Sequence, residues 1–163
     1  IGITGAAGCY GGYVVQLAKA EGLKVIADSS TKDRELVTEL GADIVVPRGD
    51  DISEQIRKVM PEGVDGLADG AVQNELAVGA IKDGGSFASV RYWEGTAERD
   101  IKFHRTSVSD YFQRSDLLDQ LSKQVDDGTL TLRVAETFAA EQATEAHQKL
   151  EAGGTRGRCV ILL

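Results

Sequence analysis

The sequence predicts an α/β fold, a doubly wound parallel sheet followed by a strand–helix–strand tail. Two observations carry that prediction. Short β-type runs alternate with helical stretches through most of the chain, and a glycine-rich string, Thr4 to Gly12, joins the first run to the first helix.

Strand candidates open near Ile1, Lys24, Asp43, Val64, Ser86 and Ile101. After the first strand, Val14, Leu17 and Ala18 share a helical face that Glu21-Gly22 ends. Leu36, Val37 and Leu40 form the second face, closed by Gly41. Ile52, Ile56 and Val59 form the third, closed by Pro61 and Gly63. Leu76, Ala77, Ala80 and Ile81 form the fourth, ended by Gly84-Gly85. Right-handed crossovers then place helices on both faces of a parallel sheet. Beyond the sixth strand, Leu117, Leu118, Leu121 and Val125 mark a helix stopped by Asp126-Asp127-Gly128. Leu130, Leu132 and Val134 alternate like a half-buried strand, a helix runs from about Ala139 to Glu151, and Cys159–Leu163 reads as a last strand. Two prolines and no low-complexity tract leave nothing to mark a domain boundary, so residues 1–163 read as one domain with its tail at 130–163.

A chain of 163 residues buries roughly 70% of the surface its unfolded form exposes, enough for its own core. Apolar residues at 42% and charged residues at 27% are ordinary for a folded domain. No apolar run approaches the ~20 residues that span a bilayer. Eighteen basic against 26 acidic side chains give a net charge of −8, which repels phosphodiester backbones and disfavours nucleic-acid binding. Cys9 and Cys159 are too few for a disulfide scaffold, and a reduced, cytoplasmic setting is expected. The chain opens on Ile1-Gly2-Ile3-Thr4 without Met, directly into a strand, and reads as a piece of a longer polypeptide.

The sharpest chemical signal is Thr4-Gly5-Ala6-Ala7-Gly8-Cys9-Tyr10-Gly11-Gly12. Small residues there let the backbone approach a pyrophosphate, and the free N–H groups of the helix start face the anion. The helix field contributes only ~0.3–2 kcal/mol per charge, so amide hydrogen bonds and close fit must supply the rest. The same glycines suit a tight strand-to-helix turn with no ligand, but their place after a first strand and before an amphipathic helix favours the dinucleotide reading. Short-chain dehydrogenases require a Tyr with a Lys four positions on. Here Val14, Leu17, Thr96 and Ser115 stand at that offset from Tyr10, Tyr13, Tyr92 and Tyr111, so that class is set aside. His104 falls on a strand and His147 on a helix face with Ala143 and Leu150. Both read as structural, and no metal-ligand spacing is found.

The stretches ITGAAGCYGG, AKAEGLKVIA, ELGADIVV, GVDGLADGA, IKDGGSFASV and the closing AEQATEAHQKLEAGGTRGRCVILL resemble the medium-chain dehydrogenase/reductase superfamily, in its zinc-independent quinone oxidoreductase branch. The resemblance covers nearly the whole chain but only the C-terminal, cofactor-binding part of the family's polypeptide. It implies a Rossmann fold whose tail docks on a GroES-like substrate domain that this chain does not contain. It implies that Ala6, Ala7, Gly8, Cys9, Tyr10 and Gly11 form the pyrophosphate turn, where Cys9 and Tyr10 replace the family's usual Gly and Val. Tyr10 then stacks behind the nicotinamide or narrows its site. Cys9 reads as a small residue tolerated in the turn, the alternative being a thiol activated by the helix terminus.

Further contacts are implied at the C-terminal strand ends: Asp28, Ser29 and Ser30 with Lys32, then Arg48, then Asp69, Gly70 and Ala71, then Val90 and Arg91. Arg91 stands where the family usually has glycine. Ser30 with Asp33 also fits a plain helix cap, and Arg48 a solvated charge. Tyr92-Trp93 reads as an exposed aromatic pair. An acidic residue ending strand two favours NAD, whereas small polar residues with a nearby cation favour NADP(H). Counting back from Gly41 places Asp28 at that end, and counting forward from Gly22 places Ser29 there. The balance tips to NADP(H), with Asp28 turned aside from the phosphate. The activity implied is hydride transfer from NAD(P)H to a quinone or α,β-unsaturated carbonyl acceptor, with no metal and no catalytic residue assignable. A non-catalytic dinucleotide-binding or redox-sensing module is the alternative. A homodimer paired through the strand-six edge, Ile101 to Val108, is expected, with no nucleic-acid or membrane partner.

Overall fold

The computed structural model describes residues 1–96, 98–105 and 107–163. Strands β1 (Gly2–Thr4), β2 (Ile26–Ser29), β3 (Ile44–Pro47), β4 (Val64–Asp69), β5 (Ile81–Ser89) and β6 (Lys102–His104) form one parallel sheet in the order 3-2-1-4-5-6. Helices α1 (Cys9–Ala20), α2 (Arg34–Glu39), α3 (Ile52–Val59) and α4 (Glu75–Val78) lie in the crossovers. The period of two along each strand divides the apolar residues between the faces. Ala27 and Val45 join Ile3, Val15, Ala18 and Val37 under α1 and α2. Their neighbours Ile26 and Val46 join Ile52, Ile56, Leu67, Ala77 and Phe87 under α3 and α4. Strand order reverses between β1 and β4, which opens a crevice at their C-terminal ends.

Several expectations shift. The buried residues of α1 are Gly11, Gly12, Val15, Gln16 and Ala18, so Ala18 of the predicted face is buried while Val14 and Leu17 are half-buried. Gly11 packs on the Gly5–Ala6 backbone, and Gly12 leaves room for the Arg133 guanidinium and Leu40. The fourth helix spans only Glu75–Val78, and Ile81 belongs to β5. Gly84-Gly85 does not end a helix. The register between β4 and β5 slips there, from Val64↔Ile81 to Gly66↔Ser86, while Gly84 takes φ +72° and donates to the Arg99 carbonyl. Trp93 packs edge-on against Phe87 at 5.2 Å and Phe103 at 5.5 Å, so only Tyr92 of the predicted pair is exposed. β6 is at the sheet edge but is three residues long, and Thr106 of the predicted stretch lies outside the described residues.

In the tail, α5 (Ser115–Asp126) buries no residue, and β7 (Val134–Ala139), α6 (Ala143–Ala152) and β8 (Arg158–Leu162) form a parallel strand pair with a helical crossover. The predicted strand at Leu130 starts instead at Val134. Leu130 is buried, but the Thr131 N–H donates to the Gln16 side chain at 2.8 Å rather than to a ladder. His147 is exposed and Ala146 is the buried residue of α6, one position from expectation. Cys159 is half-buried. Among the described residues, no helix is long and apolar enough to cross a membrane.

Candidate functional site

The turn between β1 and α1 owes its shape to missing Cβ atoms. Gly5 takes φ +64°, and a Cβ on it would lie 2.8 Å from the Gly70 carbonyl carbon. A Cβ on Gly11 would lie 2.4 Å from the Gly5 carbonyl oxygen, so only glycine lets α1 start this close to the turn. Gly8 is the N-cap, its N–H donating to the Gly5 carbonyl at 2.9 Å and its carbonyl accepting from Gly12 at 3.0 Å. No side chain caps α1, and its first turn carries no acidic residue. The first amides of a twelve-residue helix therefore stand without a side-chain partner, as an anion site requires.

Asp69, at the end of β4, is fully buried and committed to shaping the opposite wall. Its carboxylate accepts from Thr4 Oγ1 at 2.5 Å, Ala71 N–H at 3.2 Å and Asn74 N–H at 2.8 Å, while Val72 and Asn74 take positive φ. Gly70 admits the Tyr10 ring, whose Cδ1 would lie 3.0 Å from a Cβ there. The ring thus bridges the turn and the end of β4 and narrows the mouth between them. Burial, helped by Asp69, raises the Tyr10 hydroxyl above its ordinary range. Burial first, then the neighbouring Cys9, raises the Tyr13 hydroxyl above its ordinary range.

At the end of β2, Asp28 is buried and points back at the turn, accepting from the Ala6 N–H at 3.2 Å with Oδ1. Its Oδ2 is buried without a partner. Burial raises the Asp28 pKa, against the lowering effects of the Ala6 N–H and of Arg48. Ser29, Ser30, Thr31, Arg34, Pro47 and Arg48 line one cleft beside it. Lys32 is exposed and does not line this cleft. Arg34 does, and the sequence reading missed it, because its place in the first turn of α2 reads equally as an exposed helix charge. Ser30 does not cap a backbone N–H. Its hydroxyl donates to Asp33 at 2.5 Å, and Arg156 holds the same carboxylate bidentately, at 2.7 Å on each oxygen. Asp33 is consequently held down to about 2, through the Arg156 hydrogen bonds first. Arg133 and Arg156 reach the turn and the β2 end from more than 120 positions along the chain, a separation no local pattern reveals.

The structure thus brings together Ala6, Ala7, Gly8, Cys9, Tyr10, Gly11, Asp28, Asp69, Gly70 and Ala71 around the turn. Ser29, Ser30 and Arg48 gather at the neighbouring cleft. Val90 follows β5, its N–H donating to the Asp69 carbonyl at 2.9 Å, and Arg91 is exposed beyond it. Among the described residues, no group of three or more His, Cys, Asp or Glu is placed to hold a metal ion.

Residues 40–161 match the family described as zinc-binding dehydrogenase. A zinc-type alcohol dehydrogenase-like protein of Staphylococcus epidermidis is 28% identical over 182 aligned positions, covering 99% of this chain and 54% of the relative. The 2-methylene-furan-3-one reductase of Solanum lycopersicum is 29% identical over 163, covering 98% of this chain and 39% of the relative. The chain spans about half the length, or less, of these curated relatives. Among solved structures, a mycobacterial protein complexed with NADPH superposes with a TM-score of 0.82 at 22% identity, covering 99% of this chain and 56% of the other. That likeness is one of fold.

Proposed function

Since this chain belongs to the zinc-binding dehydrogenase family, we propose that it is the cofactor-binding half of an NAD(P)H-dependent oxidoreductase, acting on a quinone or an α,β-unsaturated carbonyl compound. The observation that carries the proposal is the uncapped start of α1 above a turn that excludes every Cβ at Gly5 and Gly11. The relative named for 2-methylene-furan-3-one supports the acceptor class, since that compound carries a methylene conjugated to a ketone. A bound NAD(P)H supplies the hydride.

The chain's own residues bind and orient. The first amides of α1 take the pyrophosphate, and Tyr10 limits the room on the nicotinamide side. At the β2 end, Arg48 and Arg34 face the adenosine ribose across Ser29, Ser30 and Thr31, a set of forked donors and hydroxyls suited to a 2′-phosphate. Asp28 directs Oδ1 at the Ala6 N–H and is pushed by burial towards its neutral form, and the charge of Asp33 is matched by Arg156, so both acids oppose that phosphate less than free carboxylates would. NADP(H) is therefore the preferred cofactor. No catalytic acid or base is assigned within this chain. For the metal in the family's description, the described residues offer no group of three or more His, Cys, Asp or Glu placed to hold it. The β7–α6–β8 unit offers a surface for a substrate domain, and β6 an edge for a second copy.

The test is a quinone-reduction assay on this chain with NADPH, run beside a cofactor titration. Binding without turnover is expected. Robust turnover by this chain alone would contradict a site shared with a second domain.

A further inference from the structure

Arg133 precedes β7 and reaches the glycine-rich turn. Its Nη1 donates to the Ala7 carbonyl at 3.1 Å and its Nη2 to the Gly8 carbonyl at 2.6 Å. A Cβ on residue 12 would lie 2.3 Å from that Nη2, so Gly12 leaves the space the guanidinium fills. The Gly8 carbonyl also accepts the Gly12 N–H along the helix. Two donors on one oxygen fix the Gly8–Cys9 peptide plane. In a trans peptide the N–H points opposite to the C=O, so the Cys9 N–H is aimed out of the helix start, where an anion would sit.

The electrostatics also leave room for an anion. A guanidinium beside the positive end of a helix is disfavoured, and α1 has no acidic residue in its first turn to offset it. The Nε of Arg133 is buried without a partner. That N–H is one donor at the turn that the chain's own acceptors leave unsatisfied.

We propose that Arg133 is a positioning residue for the dinucleotide pyrophosphate, fixing the Ala7 and Gly8 peptide planes and so linking the docking of the β7–α6–β8 unit to occupancy of the turn. This rests on the cofactor reading above. The link is reciprocal: if the docked tail favours the anion, the anion favours the docked tail. The Thr131–Gln16 bond and the Arg156–Asp33 pair hold the tail independently, so replacing Arg133 loosens the turn without releasing the unit.

The test compares ADP-ribose, which carries a pyrophosphate, with adenosine, which does not, by calorimetric titration of wild type, Arg133→Lys and Arg133→Met. Lys keeps the charge but lacks the fork that spans two carbonyls. ADP-ribose affinity is expected to fall about tenfold or more in Arg133→Met and by less in Arg133→Lys, with adenosine unchanged. Hydrogen exchange across residues 134–162 is expected to slow when ADP-ribose is added to wild type, and not in Arg133→Met. Equal ADP-ribose affinity in all three proteins overturns the proposal. An equal fall for both ligands also overturns it, by reducing Arg133 to a general structural role. Failure of wild type to bind ADP-ribose or NADPH at all overturns the cofactor reading and this inference with it.

Discussion

Gly11 has the least tolerance for change in the turn, and its contrast with Gly22 separates fit from backbone freedom. A Cβ on Gly11 would strike the Gly5 carbonyl, whereas Gly22, at φ +74°, has nothing within 4 Å of its Cβ position. Gly11→Ala is expected to weaken NADPH binding more than tenfold. Gly22→Ala is expected to cost about 1–2 kcal/mol of stability, from the left-handed backbone alone, with binding intact. Dissociation constants and thermal melts of both variants check this. At the other end of the cofactor, Arg48→Ala is expected to weaken NADPH about tenfold while leaving NADH nearly unchanged, and Asp28→Ala to leave the preference for NADPH in place. A wild type that binds NADH far more tightly, with that preference abolished in Asp28→Ala, would make Asp28 the ribose ligand. The turn residues were legible because glycine spacing after a first strand has one steric meaning. The choice between Asp28 and Ser29 at the strand end was not, since a one-residue uncertainty there reverses where a side chain points. Arg34, Arg133 and Arg156 were missed because an isolated arginine carries no periodic signal.

The elements of the sheet were legible where strand and helix periods differ clearly, as at β2, β3 and α3. They were misread where spacing alone was counted. Leu76, Ala77, Ala80 and Ile81 fit a helical face, yet Ile81 starts a strand whose register slips past Gly84. The junction between tail and sheet rests on the Arg156–Asp33 pair. Asp33 ionises in the fold at about 2, below its ordinary 3.8, so the pair contributes stability above about pH 4 that is lost as pH falls towards 2. Arg156→Ala is expected to cost about 1–3 kcal/mol at pH 7, about 2–4 °C of melting temperature per kcal/mol, with the difference from wild type shrinking as pH falls through about 2. Melts across that range measure it, and a pH-independent difference would contradict the pair's role. Phe87, buried against Trp93 and Phe103, anchors the other half of the sheet, and Phe87→Ala is expected to cost about 3–5 kcal/mol in denaturant unfolding.

At the scale of the whole molecule, strand order 3-2-1-4-5-6 sets the turn, the β2 end and the β4 end around one crevice, and the tail is pinned to two of the three. β6 leaves an open edge and α5 exposes Leu118 and Leu121, so self-association through one of these surfaces is expected; a clean monomer by light scattering at high concentration would count against it. The alternation of elements made the sheet legible, while the tail's attachment, made by side chains far apart in sequence, became visible only in three dimensions. The central claim is that this chain by itself holds a nicotinamide dinucleotide at the start of α1. Titration of wild type and Gly11→Ala with NADPH, followed by nicotinamide fluorescence, tests it most directly. Saturable binding to wild type that is lost in Gly11→Ala is the predicted result, and absence of saturable binding to wild type, or equal binding to both, would contradict it.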